Sequence, residues 1–306
     1  MQFLCIGVDG CTDAIKEHII NELQQLRSKK IKYSVNEVDS DGSPSIICSI
    51  NDERLYREKS NYSYKTLKIH VSNALADYII RQYEEQLLGR IINSNYCYFN
   101  SMERNEILKQ AIRIVRNDDK TFLNSLFQIR RRIVIIRKLL DYFENSNNII
   151  LDGFVNFRLK DYIKDLEEIV DKAVDDFLME REYREFIRLL RYFVDIQDPK
   201  FDTIHIVVAF DGKYTLFDEN HREITNECIQ EFINEIAGGD INYDDLLVSS
   251  LITLAPKNIV IHCISQFKNK ELLETIKNVF SDKVFVCNGC EMCTANLVKS
   301  ESNKQV

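Results

Sequence analysis

The sequence predicts an α+β protein with an N-terminal α/β segment, a helical middle and a C-terminal α/β segment that ends in a β-α-β unit. Its 306 residues include only 3 Pro and 9 Gly, which excludes collagen-like, Pro-rich and linker-rich chains. Apolar residues recur at helical spacing through the middle, and short apolar runs beside Asp-Gly turns lie towards both ends. We therefore expect segments at 1–100, 101–200 and 201–295, followed by a disordered tail at 296–306.

The N-terminal segment alternates between strand-like and helix-like patterns. An Asp-Gly pair inside DSDGS separates two short apolar runs, which is typical of a tight hairpin. The predicted elements are a strand at 2–8, a helix from Thr12 or Asp13 to about Arg27, strands at 32–38, 44–50 and 66–71, and a helix at 73–92.

The middle segment carries apolar stripes at spacings of three and four, which indicate helices packed on helices. A break is expected near Met179, and Asp198 before Pro199 should end the last helix. The stripes comprise Leu126, Ile129, Ile133, Ile136, Leu140 and Phe143; then Leu159, Ile163, Leu166, Val170, Ala173 and Phe177; then Tyr183, Ile187, Leu190 and Val194.

The C-terminal segment is expected to form a hairpin followed by alternating helices and strands. Its last β-α-β unit should place two strands in parallel. The predicted elements are strands at 203–209 and 213–217, helices at 225–237 and 243–254, a strand at 258–264, a helix at 268–279 and a strand at 283–287.

Charge is distributed unevenly along this chain, whose net charge is −8. Residues 101–140 hold 10 basic and 4 acidic side chains, a local net of +6, whereas 201–306 hold 9 and 16, a local net of −7. The basic residues of one helix could bind an anionic membrane or a nucleic acid, but we favour pairing with the acidic helix at 160–180. These residues are Arg130, Arg131, Arg132, Arg137 and Lys138.

No targeting or membrane-spanning pattern is found in the sequence. The longest uncharged apolar stretch, 246–256, has 11 residues, whereas a spanning helix needs about 20. The N-terminus lacks the basic region of a signal peptide. We therefore expect a cytoplasmic protein with reduced thiols, consistent with its odd count of 9 Cys.

No motif for nucleophilic or hydrolytic catalysis is present, so we expect a binding or structural factor rather than an enzyme. The sequence lacks G-x-S-x-G and H-E-x-x-H. His70, His205 and His262 lie in predicted strands among apolar residues, which is typical of core or edge positions.

The strongest local signal for chemistry is the cysteine-rich run VCNGCEMC at 286–293. Cys263 and Cys287 end two strands that should be parallel neighbours, so both thiols are expected at one sheet edge. Gly289 would let Cys290 and Cys293 fold back. Four sulfurs would suit zinc or an iron–sulfur cluster, with His262 a weak substitute because it should point away from Cys263. A redox pair within this run remains open, as do buried or accessible free thiols.

A family resemblance rests on residues 153–199, which contain Phe154, Phe157, Arg158, Leu159 and Tyr162. The segment continues with Asp176-Phe177-Leu178 and the run EFIRLLRYF at 185–193. It resembles the core of the YtxC-like family of sporulation proteins. The resemblance implies a cytoplasmic, sporulation-associated protein of a Gram-positive host. For such a binding or structural factor we expect an unknown protein partner or a homo-oligomer. It transfers no catalytic residue.

Overall fold

The structure, a computed structural model, describes residues 3–8, 12–28, 32–40, 43–50, 60–116, 122–209, 213–225 and 243–294. The chain divides into two compact units, Met1–Leu178 and Met179–Val306. The helical segment expected at 101–200 therefore contributes to both units. The α+β class predicted from the sequence is confirmed, because each unit combines a four-stranded mixed sheet with helices.

The first unit contains a sheet of order β2-β3-β1-β4. The hairpin is confirmed, since β2 and β3 pair antiparallel from Tyr33 opposite Ile50 onwards. Strand β1 pairs antiparallel with β3 and parallel with β4. The strands are β1 (Phe3–Gly7), β2 (Tyr33–Ser40), β3 (Ser43–Ile50) and β4 (Asn148–Ile150).

Helices supply most of the core of this unit. The stripe expected from Leu159 to Phe177 is confirmed. Leu159 directly precedes the long helix α7, and the fully enclosed members of the stripe include Leu166 and Val170. The helices are α1 (Asp13–Ser28), α2 (Ser60–Gln82), α3 (Glu84–Asn95), α4 (Ser101–Arg116), α5 (Phe122–Asn145), α6 (Leu151–Arg158) and α7 (Lys160–Ile196).

Three sequence predictions for the helices need correction. The run at 66–71 lies inside α2 and is not a strand, because a short buried apolar run fits either structure. The helix expected at 73–92 is divided between α2 and α3 around Tyr83. Helix α7 continues through Met179 without the expected break, and it ends at Ile196, before Pro199 as expected.

The buried face of α5 also differs from the predicted stripe. Ile129 and Ile133 are exposed, whereas Ile135, Leu139 and Phe143 are enclosed. Arg131 lies one turn before Ile135 and continues that buried face. The apolar pattern missed this face because one of its members is charged.

The second unit contains a sheet of order β6-β5-β7-β8, in which β5, β7 and β8 are parallel. This confirms that the strands of the last β-α-β unit are parallel neighbours. The expected helix at 225–237 and tail at 296–306 lie mostly or wholly outside the described residues. The described elements are β5 (Thr203–Val208), β6 (Tyr214–Phe217), α8 (Tyr243–Leu254), β7 (Asn258–His262), α9 (Lys270–Phe280) and β8 (Val284–Val286).

Candidate metal centre

The candidate metal centre lies where two parallel strands of the second unit end. His262 is the last residue of β7, and Cys287 directly follows β8. The Cys287 amide donates a hydrogen bond to the carbonyl oxygen of Ile261, 2.9 Å away. This bond extends the strand pairing by one residue and holds Cys287 beside the end of β7.

Four potential ligand atoms converge at this edge: one imidazole nitrogen of His262 and the sulfurs of Cys287, Cys290 and Cys293. His262 Nδ1 lies 3.3 Å from Cys290 Sγ and 3.5 Å from Cys293 Sγ. Cys293 Sγ lies 3.8 Å from the sulfurs of both Cys287 and Cys290. All four ligand atoms lie within 4.8 Å of one another.

Most of these separations match the edges of a small tetrahedron. Zinc bonds of about 2.3 Å to sulfur and 2.0–2.1 Å to nitrogen give sulfur–sulfur edges of about 3.8 Å and sulfur–nitrogen edges of about 3.5 Å. The four distances given above among His262, Cys287, Cys290 and Cys293 lie within about 0.2 Å of these values. One four-coordinate ion therefore fits the donor set.

Glycine geometry turns the chain back towards the end of β7. Gly289 has a φ of +122°, a conformation that residues with a side chain rarely adopt. Its amide donates a hydrogen bond to Cys287 Sγ over 3.4 Å. The turn expected from the sequence is therefore present, and it brings Cys290 and Cys293 back towards Cys287.

Cys263, expected from the sequence to be a ligand, lies beside the cluster and outside it. Its sulfur is 3.9 Å from the carbonyl oxygen of Cys293. Strand β7 ends at His262, and Cys263 takes a left-handed backbone conformation with a φ of 54°. The strand was expected to continue to residue 264, and this difference puts His262, rather than Cys263, among the four potential ligands.

The thiols of the cluster have different proton affinities. Burial raises the pKa of Cys293. The backbone hydrogen bonds from Cys290 and Cys263, together with the neighbouring thiols, outweigh burial and lower this pKa overall. The hydrogen bond from Gly289 favours the Cys287 thiolate, but burial and the neighbouring sulfurs raise the pKa of Cys287 overall. Of these two thiols, Cys293 is thus the more disposed to form the thiolate that binds metal.

A second histidine adjoins the cluster from the neighbouring strand. His205 Nδ1 in β5 lies 3.0 Å from His262 Nε2, and the His221 ring packs against His205 at a centroid distance of 4.9 Å. Burial and the neighbouring histidines lower the pKa of both His205 and His262. The neutral imidazole, which is the form that binds metals, is therefore favoured at His262.

The basic residues of α5 are largely engaged within the first unit. Arg131 pairs with Glu84 at 2.5 Å, Arg132 with Asp77 at 2.6 Å and Lys138 with Asp161 at 2.9 Å. Among the ion pairs of the described residues, Lys138 is the member of this basic group that pairs with the acidic helix expected from the sequence. Arg130 and Arg137 are exposed. Within the described residues, no helix is long and apolar enough to cross a membrane.

The fold and this cluster define an α+β protein with a candidate four-ligand metal centre. A family model described as the YtxC-like family matches residues 69–285, more than two thirds of the chain. The chain therefore belongs to the YtxC-like family. The match includes His205 and His262 and ends before Cys287.

A curated relative is similar to this chain over most of its length. The chain is 26% identical over 248 residues to the "Uncharacterized protein YtxC" of Bacillus subtilis (strain 168), covering 80% of this chain and 85% of the relative. No solved structure matches.

Proposed function

We propose that this protein binds one zinc ion through His262, Cys287, Cys290 and Cys293. The observation that carries the proposal is the convergence of four ligand atoms from two strand ends and the turn after them. Four of their separations match the edges of a zinc tetrahedron. Four protein ligands leave no open position for substrate, as in zinc sites that stabilise a fold. The ion would therefore act as a structural cross-link.

Zinc suits the geometry better than an iron–sulfur cluster does. A cluster places several irons and sulfides between its ligands, so the protein ligands must stand far apart. Here all four ligand atoms lie within 4.8 Å, which leaves space for one ion. Three thiolates and an imidazole are a common set of ligands for structural zinc.

Metal analysis of the reduced full-length protein tests this proposal. We expect about one zinc per chain in the wild type, and most of it to be lost in Cys290→Ser and Cys293→Ser. Cys263→Ser and Cys97→Ser are matched controls that should keep the zinc, because both thiols lie outside the four-ligand group.

Three outcomes would contradict the zinc proposal. Less than about a tenth of an equivalent of zinc after reconstitution, under conditions that fill known structural sites, would exclude the centre. Iron with visible charge-transfer absorption would favour a cluster. A disulfide between cysteines of the 287–293 run that forms reversibly and persists when zinc is supplied would favour a redox pair.

The biological setting we propose is a cytoplasmic, sporulation-associated binding or structural factor. Membership of the YtxC-like family supports this setting through the resemblance at residues 153–199. We expect expression to rise during sporulation, and deletion to lower the heat-resistant spore count without slowing vegetative growth. Constant expression, or loss of vegetative viability on deletion, would contradict this setting.

The basic helix supports binding to nucleic acid or membrane less well. Arg131, Arg132 and Lys138 already pair with acidic side chains. We therefore expect no retention on heparin or on anionic liposomes at physiological salt. Retention that is lost in Arg130→Glu/Arg137→Glu, the two exposed members, would instead favour such a surface.

A further inference from the structure

We propose that His205 is a positioning residue for the metal centre, which fixes His262 so that Nδ1 is the metal ligand. The inference rests on the proposed zinc site and extends it to a residue outside the ligand set. His205 Nδ1 lies 3.0 Å from His262 Nε2, while His262 Nδ1 faces Cys290 Sγ at 3.3 Å. The two nitrogens of His262 therefore have different partners.

The proton on His262 follows from this arrangement. A neutral imidazole carries one proton, and the nitrogen that binds a metal must offer its lone pair. If Nδ1 of His262 binds the ion, Nε2 carries the proton and donates it in a hydrogen bond to Nδ1 of His205. His205 then holds its own proton on Nε2. The bond thus selects one tautomer of His262 and restrains the rotation of its ring.

The backbone keeps His205 within reach of His262. Strands β5 and β7 are parallel neighbours, with Val207 opposite His262 in the register. His205 lies two residues before Val207, so the side chains of His205 and Val207 project from the same face of β5. His262, opposite Val207, lies on that face of the sheet as well. The pairing of β5 with β7 therefore holds the two histidines in contact.

His221 supports the ring of His205 from a structured turn. Its ring centroid lies 4.9 Å from that of His205. The Asp218 carboxylate accepts hydrogen bonds from the amides of Asn220 and Arg222, at 2.9 and 2.8 Å. These bonds fix the turn that carries His221. No hydrogen bond joins the His221 and His205 rings among the described contacts, so His221 contributes packing.

Two substitutions of His205 separate positioning from simple packing. His205→Leu keeps an apolar body and removes the hydrogen-bond acceptor. His205→Asn keeps an acceptor, since its side-chain oxygen lies as many bonds from Cα as Nδ1 of histidine does. If His205 only fills space, Leu should be tolerated as well as Asn.

Zinc affinity, measured by competition with a chromophoric chelator on the full-length protein, gives the first test. We expect His205→Leu to weaken zinc binding about 10–100-fold, which is typical when the partner of a ligating histidine is lost. His205→Asn should recover most of the affinity. His18→Asn is the matched control, because it makes the same kind of change in the first unit, away from the candidate centre, and it should bind like the wild type.

Long-range ¹H–¹⁵N NMR of the zinc-loaded wild type gives a second test that needs no variant. We expect His262 to show a metal-bound Nδ1 and a protonated Nε2. A metal-bound Nε2, or His205→Leu with wild-type affinity, would overturn the role of His205 and leave the zinc site intact. A wild type that binds no zinc would instead overturn the proposed function on which this inference rests.

Discussion

Arg131 shows how a single charged residue can belong to the core. Its side chain and that of Glu84 are both more than nine-tenths buried. Tyr162 donates a hydrogen bond to Glu84 Oε1 over 2.8 Å, and Arg131 Nη2 donates one to the carbonyl oxygen of Val115 over 3.0 Å. Burial raises the pKa of Glu84, although Arg131 and Tyr162 act in the opposite direction. Loss of either member would leave the charge of the other buried and unpaired.

Arg131→Met should destabilise the protein much more than Arg132→Gln. Loss of Arg131 leaves the Glu84 carboxylate buried without its cation, at a cost of about 3–5 kcal/mol. The Arg132–Asp77 pair is more than a third exposed, so its loss should cost roughly 0–1 kcal/mol. Urea unfolding monitored by circular dichroism measures both effects.

The double variant Glu84→Gln/Arg131→Met is the control for this interpretation. We expect it to lose less stability than Arg131→Met alone, because no unpaired charge is then buried. Equal losses of unfolding free energy in Arg131→Met and Arg132→Gln would show that the buried ion pair matters no more to stability than the exposed one.

Cys48 should resist alkylation in the folded protein, whereas Cys97 should react. Burial, with a smaller contribution from Cys5, raises the pKa of the Cys48 thiol to about 12. Only about one molecule in ten thousand then carries this thiolate at pH 8. Cys97 is exposed. Iodoacetamide labelling and peptide mass spectrometry, with and without urea, measure the difference. Labelling of Cys48 as fast as Cys97 in native buffer would contradict this expectation.

At the scale of elements, α9 shows a helix start built from one side chain. Asn269 accepts a hydrogen bond from the Leu272 amide over 3.1 Å, which caps the helix that begins at Lys270. The side-chain nitrogen of Asn269 also donates a hydrogen bond to the Asp244 carboxylate over 2.7 Å. This residue therefore joins the start of α9 to the start of α8.

Asn269→Ala should lower the free energy of unfolding of the second unit by about 1 kcal/mol, since it removes the cap. Asn269→Ser should lose less, because serine retains an acceptor for the Leu272 amide. Urea unfolding of both variants measures the difference. If Ser costs as much as Ala, the bond to Asp244 rather than the cap is the source of stability.

The second unit was the easier part of the fold to predict from sequence. Its strands are short apolar runs between turns, and α8 has the predicted bounds of 243–254. Helix α2 was harder to predict because Leu67, Val71 and Leu75 are buried together with intervening residues. That pattern lacks the polar face that distinguishes a helix from a strand.

The sequence predicted the position of the candidate centre and three of its four potential ligands, but not the fourth. The spacing of Cys287, Cys290 and Cys293 marked the site, and parallel neighbouring strands placed its fourth ligand at the end of β7. The choice between His262 and Cys263 depended on where that strand ends, because adjacent residues point to opposite faces. The contact with His205 needed the register of β5 against β7, which no local pattern contains.

At the scale of the whole molecule, each compact unit has its own hydrophobic core. One core includes buried side chains from Leu4 to Phe177, and the other includes those from Ile187 to Phe280. All four proposed metal ligands belong to the second unit. Metal binding should therefore stabilise one unit directly.

Calorimetry should resolve two unfolding transitions, of which only one responds to zinc. Zinc at about 1,000 times its Kd would stabilise the second unit by about 4 kcal/mol, and a chelator should remove this gain. Leu166→Ala should lower the other transition and Leu251→Ala the zinc-sensitive one, because each deletes a fully buried side chain. A single transition that shifts as a whole would contradict this independence.

Strand β8 has a consequence for local opening of the sheet. It has only three residues, lies at the edge of the sheet among the described strands, and exposes about half of Phe285. Such an edge should open many times before the unit unfolds, so its amide hydrogens should exchange quickly with solvent. A metal bound directly after β8 would tie this edge to the end of β7. The exchange rate of amides 284–287 would then report metal occupancy, while central β5 would exchange only through global unfolding.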